Sequence, residues 1–139
     1  MEKSDVKCVE DFIEMVWNQS RLDLLNQYLH PAFRDYSQPF FAVQNTDGLK
    51  MYLRQLNGDV IHKTEILDVE IFKDVVILEV RLVLKLKCSD CAQKESEQLL
   101  VIEGERRFTM RENLIYDHRE HLEISSSAFV IEDNLRYNQ

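Results

Sequence analysis

The residues best placed to move a proton lie close together in Leu114–Ile124, where Tyr116, Asp117, His118, Arg119, Glu120, His121 and Glu123 stand between apolar ends. Read as a strand, alternate side chains share a face. One face then carries Leu114, Tyr116, His118, Glu120, Leu122 and Ile124, and the other Ile115, Asp117, Arg119, His121 and Glu123. The first face suits a pocket wall, apolar with a few aimed polar groups. The second is nearly all charged and suits solvent or a polar partner surface. Glu120 is the candidate acid/base, because a carboxylate in a partly dry cavity can take a proton from carbon beside a carbonyl. If the turn at Arg111–Asn113 sets the register, Arg106 reaches the same face of the preceding strand. A guanidinium there favours an ionised Glu120. The structural alternative is an ion pair that serves only stability. His118 can orient a ligand or relay a proton, or be a hydrogen-bonded core histidine. Tyr116 and Tyr36 can donate to a developing oxyanion, or tie their hydroxyls to backbone.

These groups need a frame, and the hydrophobic period supplies one. Over residues 4–18, Val6, Val9, Phe12, Ile13, Val16 and Trp17 recur at helical spacing, with Ser4 as the expected cap. A second helix is expected over 20–29, capped by Ser20 and ended at His30-Pro31. Residues 33–36 form a short strand, and 37–45 a loop holding Pro39, Phe40 and Phe41. Thr46 is the expected cap of a third helix over 46–57, with Leu49, Tyr52, Leu53 and Leu56 as its buried stripe, stopped by Asn57-Gly58. From residue 60 the period falls to two, giving strands at 60–72, 75–87, 98–110 and 114–124 joined as an antiparallel meander. Helices first and a sheet after read as α+β, with the helices on one sheet face. Trp17, Phe33, Phe40, Phe41 and Phe108 are candidate pocket lining, with plain core packing as the alternative for each. The tail 125–139 is polar apart from Ala128–Ile131, an edge strand or a docking patch.

Composition narrows the partners. A chain of 139 residues is expected to fold as a single domain, 1–139. Its net charge of −8 and lack of a basic patch argue against nucleic acid and against an anionic membrane. Its first residues lack an apolar signal core and no apolar run is long enough to span a bilayer, so the sequence reads as cytoplasmic. Three cysteines do not make a disulfide framework. Cys88-Ser89-Asp90-Cys91 lacks the second ligand pair that zinc requires, so no metal and no cofactor is expected.

Several pieces in order resemble the SnoaL-like polyketide cyclases, within the superfamily of nuclear transport factor 2 and ketosteroid isomerase. They are Val16-Trp17-Asn18-Gln19, Leu22-Asp23-Leu24-Leu25, Tyr28-Leu29-His30-Pro31-Ala32-Phe33, Asp47-Gly48-Leu49 and Ile115-Tyr116-Asp117-His118-Arg119-Glu120. The resemblance spans residues 6–124. It implies a cone-shaped, curved antiparallel sheet wrapped around N-terminal helices (cystatin-like, SnoaL-like), with a pocket at the wide end. It also implies that Glu120 matches the acid/base Asp of a His-Arg-Asp run. Arg106 and Tyr36 fall where the cyclases carry histidines. The catalytic set expected is Glu120, His118 and Arg106, with Trp17, Phe33, Tyr36, Phe40, Phe41, Phe108 and Tyr116 as lining. The reading is a domain that binds a small hydrophobic molecule. An isomerase or cyclase using Glu120 is the first alternative. A non-catalytic dimerisation module, pairing through Arg107, Arg119, His121 and Glu123, is the second. A homodimer is expected in each case.

Overall fold

The computed structural model describes residues 2–87 and 99–125. Cys88, Cys91 and Ala128–Ile131 lie outside the described residues. Helix α1 spans Glu2–Phe12 and continues as a π-helical turn over Ile13–Asn18. The wider turn is held at its end by Asn18. Its side chain donates to the Thr64 carbonyl at 3.0 Å and accepts from the Thr64 N–H at 2.8 Å, in the manner of a neighbouring strand. This double bond fixes Trp17 against the sheet.

The expected helix over 20–29 is shorter than its sequence pattern. A 3₁₀ turn covers Leu22–Leu24 and a single helical turn, α2, covers Leu25–Tyr28. Ser20 adopts φ 59° and offers its carbonyl to Leu22 N–H, so it marks a backbone turn. Strand β1 already begins at Leu29 and runs to Asp35 with Pro31 inside it. An edge strand tolerates a residue without an N–H. Helix α3, Thr46–Asp59, is capped by Asn45, whose side chain accepts from Gly48 N–H at 2.8 Å. The expected cap, Thr46, is one residue too late. Gly48 is required by the loop before it, since a Cβ there would fall 1.9 Å from the Val43 carbonyl oxygen.

Strands β2 (Val60–Phe72), β3 (Val75–Leu86), β4 (Leu99–Arg111) and β5 (Leu114–Ile124) follow. The sheet order is β1-β5-β4-β3-β2. Strands β2 to β5 form the expected antiparallel meander, but β1 pairs parallel to β5, so the sheet is mixed and open. The chain reaches β1 from the helical side and leaves it for α3, so no hairpin constrains β1 to run antiparallel. Glu112 and Asn113 both take positive φ in the two-residue turn between β4 and β5, which pairs Arg111 with Leu114; beyond Met110 and Ile115 the register shifts by one residue.

Val9, Phe12, Ile13, Val16 and Trp17 from the N-terminal helix, with Leu49 and Leu53 from α3, pack on Val76, Leu78, Val80, Leu82, Phe108, Met110 and Ile115. That packing makes one face of the sheet the inner one. Among the described residues no helix is long and apolar enough to cross a membrane.

Candidate functional site

The antiparallel register pairs Arg106 with Glu120 and Phe108 with His118. Both pairs face inward, and β1 places Asp35 beside His118. Four polar side chains therefore meet on the inner face. His118 Nδ1 lies 2.8 Å from Asp35 Oδ1, His118 Nε2 lies 3.2 Å from an Arg106 terminal nitrogen, and that same nitrogen donates to Glu120 Oε2 at 2.7 Å. Asp35, Arg106 and His118 are buried. The Glu120 side chain keeps 28% of its surface exposed, so it stands at the rim of the group. Arg106 lies over the Trp17 ring at 4.6 Å, and the His118 ring leans on Phe108 at 4.9 Å.

The electrostatics follow from burial. Burial alone would raise the Asp35 pKa. The hydrogen bond from His118, with two bonds from Ser37, outweighs it and holds Asp35 below the usual carboxylate range. Burial pulls the Arg106 pKa down, against support from Glu120, Asp35 and Tyr52. Burial raises the Tyr52 pKa despite the nearby guanidinium, so Tyr52 stays a neutral hydroxyl at physiological pH.

Two recesses adjoin these groups. The inner cavity, about 360 Å³, is walled by Trp17, Leu56, Leu82, Leu84, Ile102, Leu122 and Ile124, and closes on Asp35, Ser37, Tyr52, Arg106 and Glu120. The outer one is larger, about 480 Å³, and lined by Glu79, Gly104, Glu105, Arg107, Arg119, Glu120 and His121. Size alone would favour the outer recess. Every side chain lining it belongs to an ionisable residue, whereas the inner cavity joins aliphatic and aromatic walls to aimed polar groups. Glu120 borders both.

The expected site residues divide. Arg106, His118 and Glu120 come together, and Trp17 lines the inner cavity. Phe33 and Phe108 are buried around a narrow void of about 10 Å³ behind Asp35 and His118. Tyr36 is on the outer face beneath the Arg119 guanidinium, 4.2 Å from its ring centroid. Phe40 and Phe41 are 70% and 71% exposed, with Arg34 stacked on Phe41 at 3.8 Å.

Tyr116 departs from strict alternation. Thr109 pairs with Asp117 but Met110 pairs with Ile115, so Tyr116 is the extra residue of a β-bulge. The bulge turns Ile115 inward and leaves Tyr116 between His30 and Arg111. Sequence reasoning missed Asp35, which directly precedes the Tyr36 it favoured, and Tyr52, which it read as part of a helical stripe.

Of the cysteines, only Cys8 is described. Burial, then Asp5 and Asp11, push its thiol up to about 11, so it stays protonated at neutral pH. Among the described residues no cluster of His, Cys, Asp or Glu could hold a metal ion.

No family model matches the sequence, and no curated protein matches it. Solved structures do match. TsrD from Streptomyces laurentii superposes with a TM-score of 0.72 at 17% identity, covering 88% of this chain and 90% of that one. An LEH-like epoxide hydrolase from M. tuberculosis gives 0.71 at 12% identity, covering 99% and 98%. A SnoaL-like polyketide cyclase described from Jannaschia sp. CCS1 gives 0.70 at 14% identity, covering 87% and 86%. The chain has the α+β fold of the SnoaL-like polyketide cyclases.

Proposed function

We propose that this chain, folded as one cytoplasmic domain, binds a small, mostly hydrophobic, uncharged molecule in the inner cavity. An oxygen of the ligand accepts a hydrogen bond from Arg106. The observation that carries this reading is Arg106 itself. Its side chain is buried yet lines the apolar-walled cavity, and one terminal nitrogen carries both described side-chain bonds, to His118 and Glu120. A guanidinium has five N–H donors, so others remain for an acceptor on a ligand, and a buried donor left without one costs about 1–3 kcal/mol. Charge sets the ligand class. Asp35 and Glu120 supply two negative charges against one guanidinium, so the site is already anionic and a carboxylate ligand would add repulsion in a weakly screened space. A ketone, ester or lactone oxygen meets Arg106 without that penalty.

Titration with Nile red, a neutral dye with a ring carbonyl, tests the reading. Saturable one-to-one binding with blue-shifted emission is expected. Ile102→Trp, which fills the cavity, should abolish it, and binding unchanged by Ile102→Trp would overturn the proposal.

A second reading is catalytic, and the position of Glu120 favours it. Its carboxylate borders the cavity, within reach of a ligand whose carbonyl is held by Arg106. From there it can remove a proton from the adjacent carbon, as an isomerase or cyclase requires. Solved structures of this fold include proteins described as polyketide cyclases and one described as an epoxide hydrolase. Exchange of α-protons of a bound ketone for deuterium, followed by NMR, should then stop in Glu120→Gln. Exchange that persists in the variant would remove Glu120 as the base. For the assembly, the outer face supports a homodimer, since it mixes Arg107 and Arg119 with Glu79 and Glu105 around the outer recess.

A further inference from the structure

The hydrogen bonds around His118 leave one protonation pattern open. An ionised carboxylate only accepts, so His118 Nδ1 must donate to Asp35 Oδ1 at 2.8 Å. A guanidinium only donates, so His118 Nε2 must accept from Arg106 at 3.2 Å. Two partners from different strands thus demand the same neutral tautomer, with the proton on Nδ1. Asp35 is in turn fixed by the Ser37 N–H at 3.0 Å, by the Ser37 hydroxyl and by its own N–H bonded to the Gln44 carbonyl at 2.7 Å. The Asp35 side chain touches the cavity end, but its bonds run away from the apolar walls and toward His118.

We infer that Asp35 is a positioning residue: through His118 it holds the Arg106 guanidinium toward the cavity. This inference rests on reading that cavity as the ligand site. In the strut, the Arg106 nitrogen that meets His118 also meets Glu120, so His118 sets the angle at which the guanidinium leaves its strand. The groups facing His118 are Asp35 from β1, Arg106 and Phe108 from β4, and Phe12 and Trp17 from the N-terminal helix; Glu120 follows on β5. Moving the proton to Nε2 would point an N–H at a guanidinium and push Arg106 off its position.

The test is the ¹⁵N NMR signature of the His118 ring, read with Nile red affinity in the wild type and in Asp35→Leu. The wild type at neutral pH should show the Nδ1-protonated tautomer. Asp35→Leu is close in volume and removes the acceptor of the Nδ1–H. It should retain the fold by circular dichroism, shift the ring toward the Nε2-protonated tautomer and weaken dye binding severalfold. A wild-type ring protonated on Nε2 would overturn the inference, and that measurement stands even if the variant does not fold. A variant that changes tautomer yet binds dye as the wild type does would also overturn it. The nitrogen shifts need no ligand. Failure of the wild type to bind dye would therefore count against the ligand reading, while the tautomer would still be read by itself.

Discussion

Arg106 and Arg107 are neighbours of identical chemistry on one strand, and the fold treats them oppositely. Arg106 keeps 4% of its side chain exposed, Arg107 54%. The histidines of β5 repeat the contrast, with 6% for His118 and 83% for His121. The outer groups pair with a carboxylate two residues along the same strand, Arg107 with Glu105 and His121 with Glu123. Such exposed pairs are screened and contribute little. The inner groups pair across strands, and desolvation makes each partner necessary to the next. Burying a guanidinium, an imidazole and a carboxylate together adds little to stability, because apolar residues of the same volume would serve as well or better. The inner face is therefore where a function is to be sought.

The sharpest way to break this contrast is to remove each arginine. Arg106→Met should cost about 3 kcal/mol in urea denaturation, the low end for a broken buried pair because Glu120 can still reach water. Arg107→Met should stay within about 0.5 kcal/mol. Equal losses would mean that the two faces are not energetically distinct.

Glu120→Gln keeps an acceptor for Arg106 but removes the charge. It should cost about 1–2 kcal/mol, where Glu123→Gln should leave the midpoint in place.

Acidification addresses Asp35. Its folded pKa lies below its unfolded value, so the folded state gains stability above the unfolded pKa and loses it as pH falls through the folded one. The loss should therefore fall below about pH 4, and Asp35→Asn should flatten that part of the stability profile. An unchanged acid limb would show that Asp35 is not held low.

The smallest effect is chemical. Diethyl pyrocarbonate should modify His121 readily and His118 only on unfolding, and mass spectrometry of the digested protein reads both. Rapid modification of His118 in the folded protein would place it on the wrong face.

The sequence displayed the inner face unevenly. The helix and strand periods were legible, and so was a turn at Arg111–Asn113, but the register that sets Arg106 opposite Glu120 also depends on the bulge at Tyr116, since the turn alone would set Arg106 opposite Arg119. Alternation along Leu114–Ile124 put His118 and Glu120 on one face, and the resemblance to the cyclases singled out Arg106 on the preceding strand. Tyr116 was lost because a bulge inserts one residue and reverses alternation beyond it, and nothing in Leu114–Ile124 marks where the extra residue falls. Asp35 was lost for a related reason. Strand β1 is short and joins β5 in parallel, with a shifted register between Leu29 and Arg34, so its inner face cannot be counted from a hairpin. The choice between Asp35 and Tyr36 was then a choice between adjacent residues on opposite faces. Tyr52 was hidden by its setting, since a tyrosine in a helical stripe of leucines reads as core.

A crystal structure of the protein with Nile red bound tests the central claim most directly. The account predicts the dye between Trp17, Leu84, Ile102 and Leu122, with its carbonyl oxygen within hydrogen-bond distance of the Arg106 guanidinium. Dye seated in the outer recess against Arg107 and Arg119, with the inner cavity unoccupied, would contradict it.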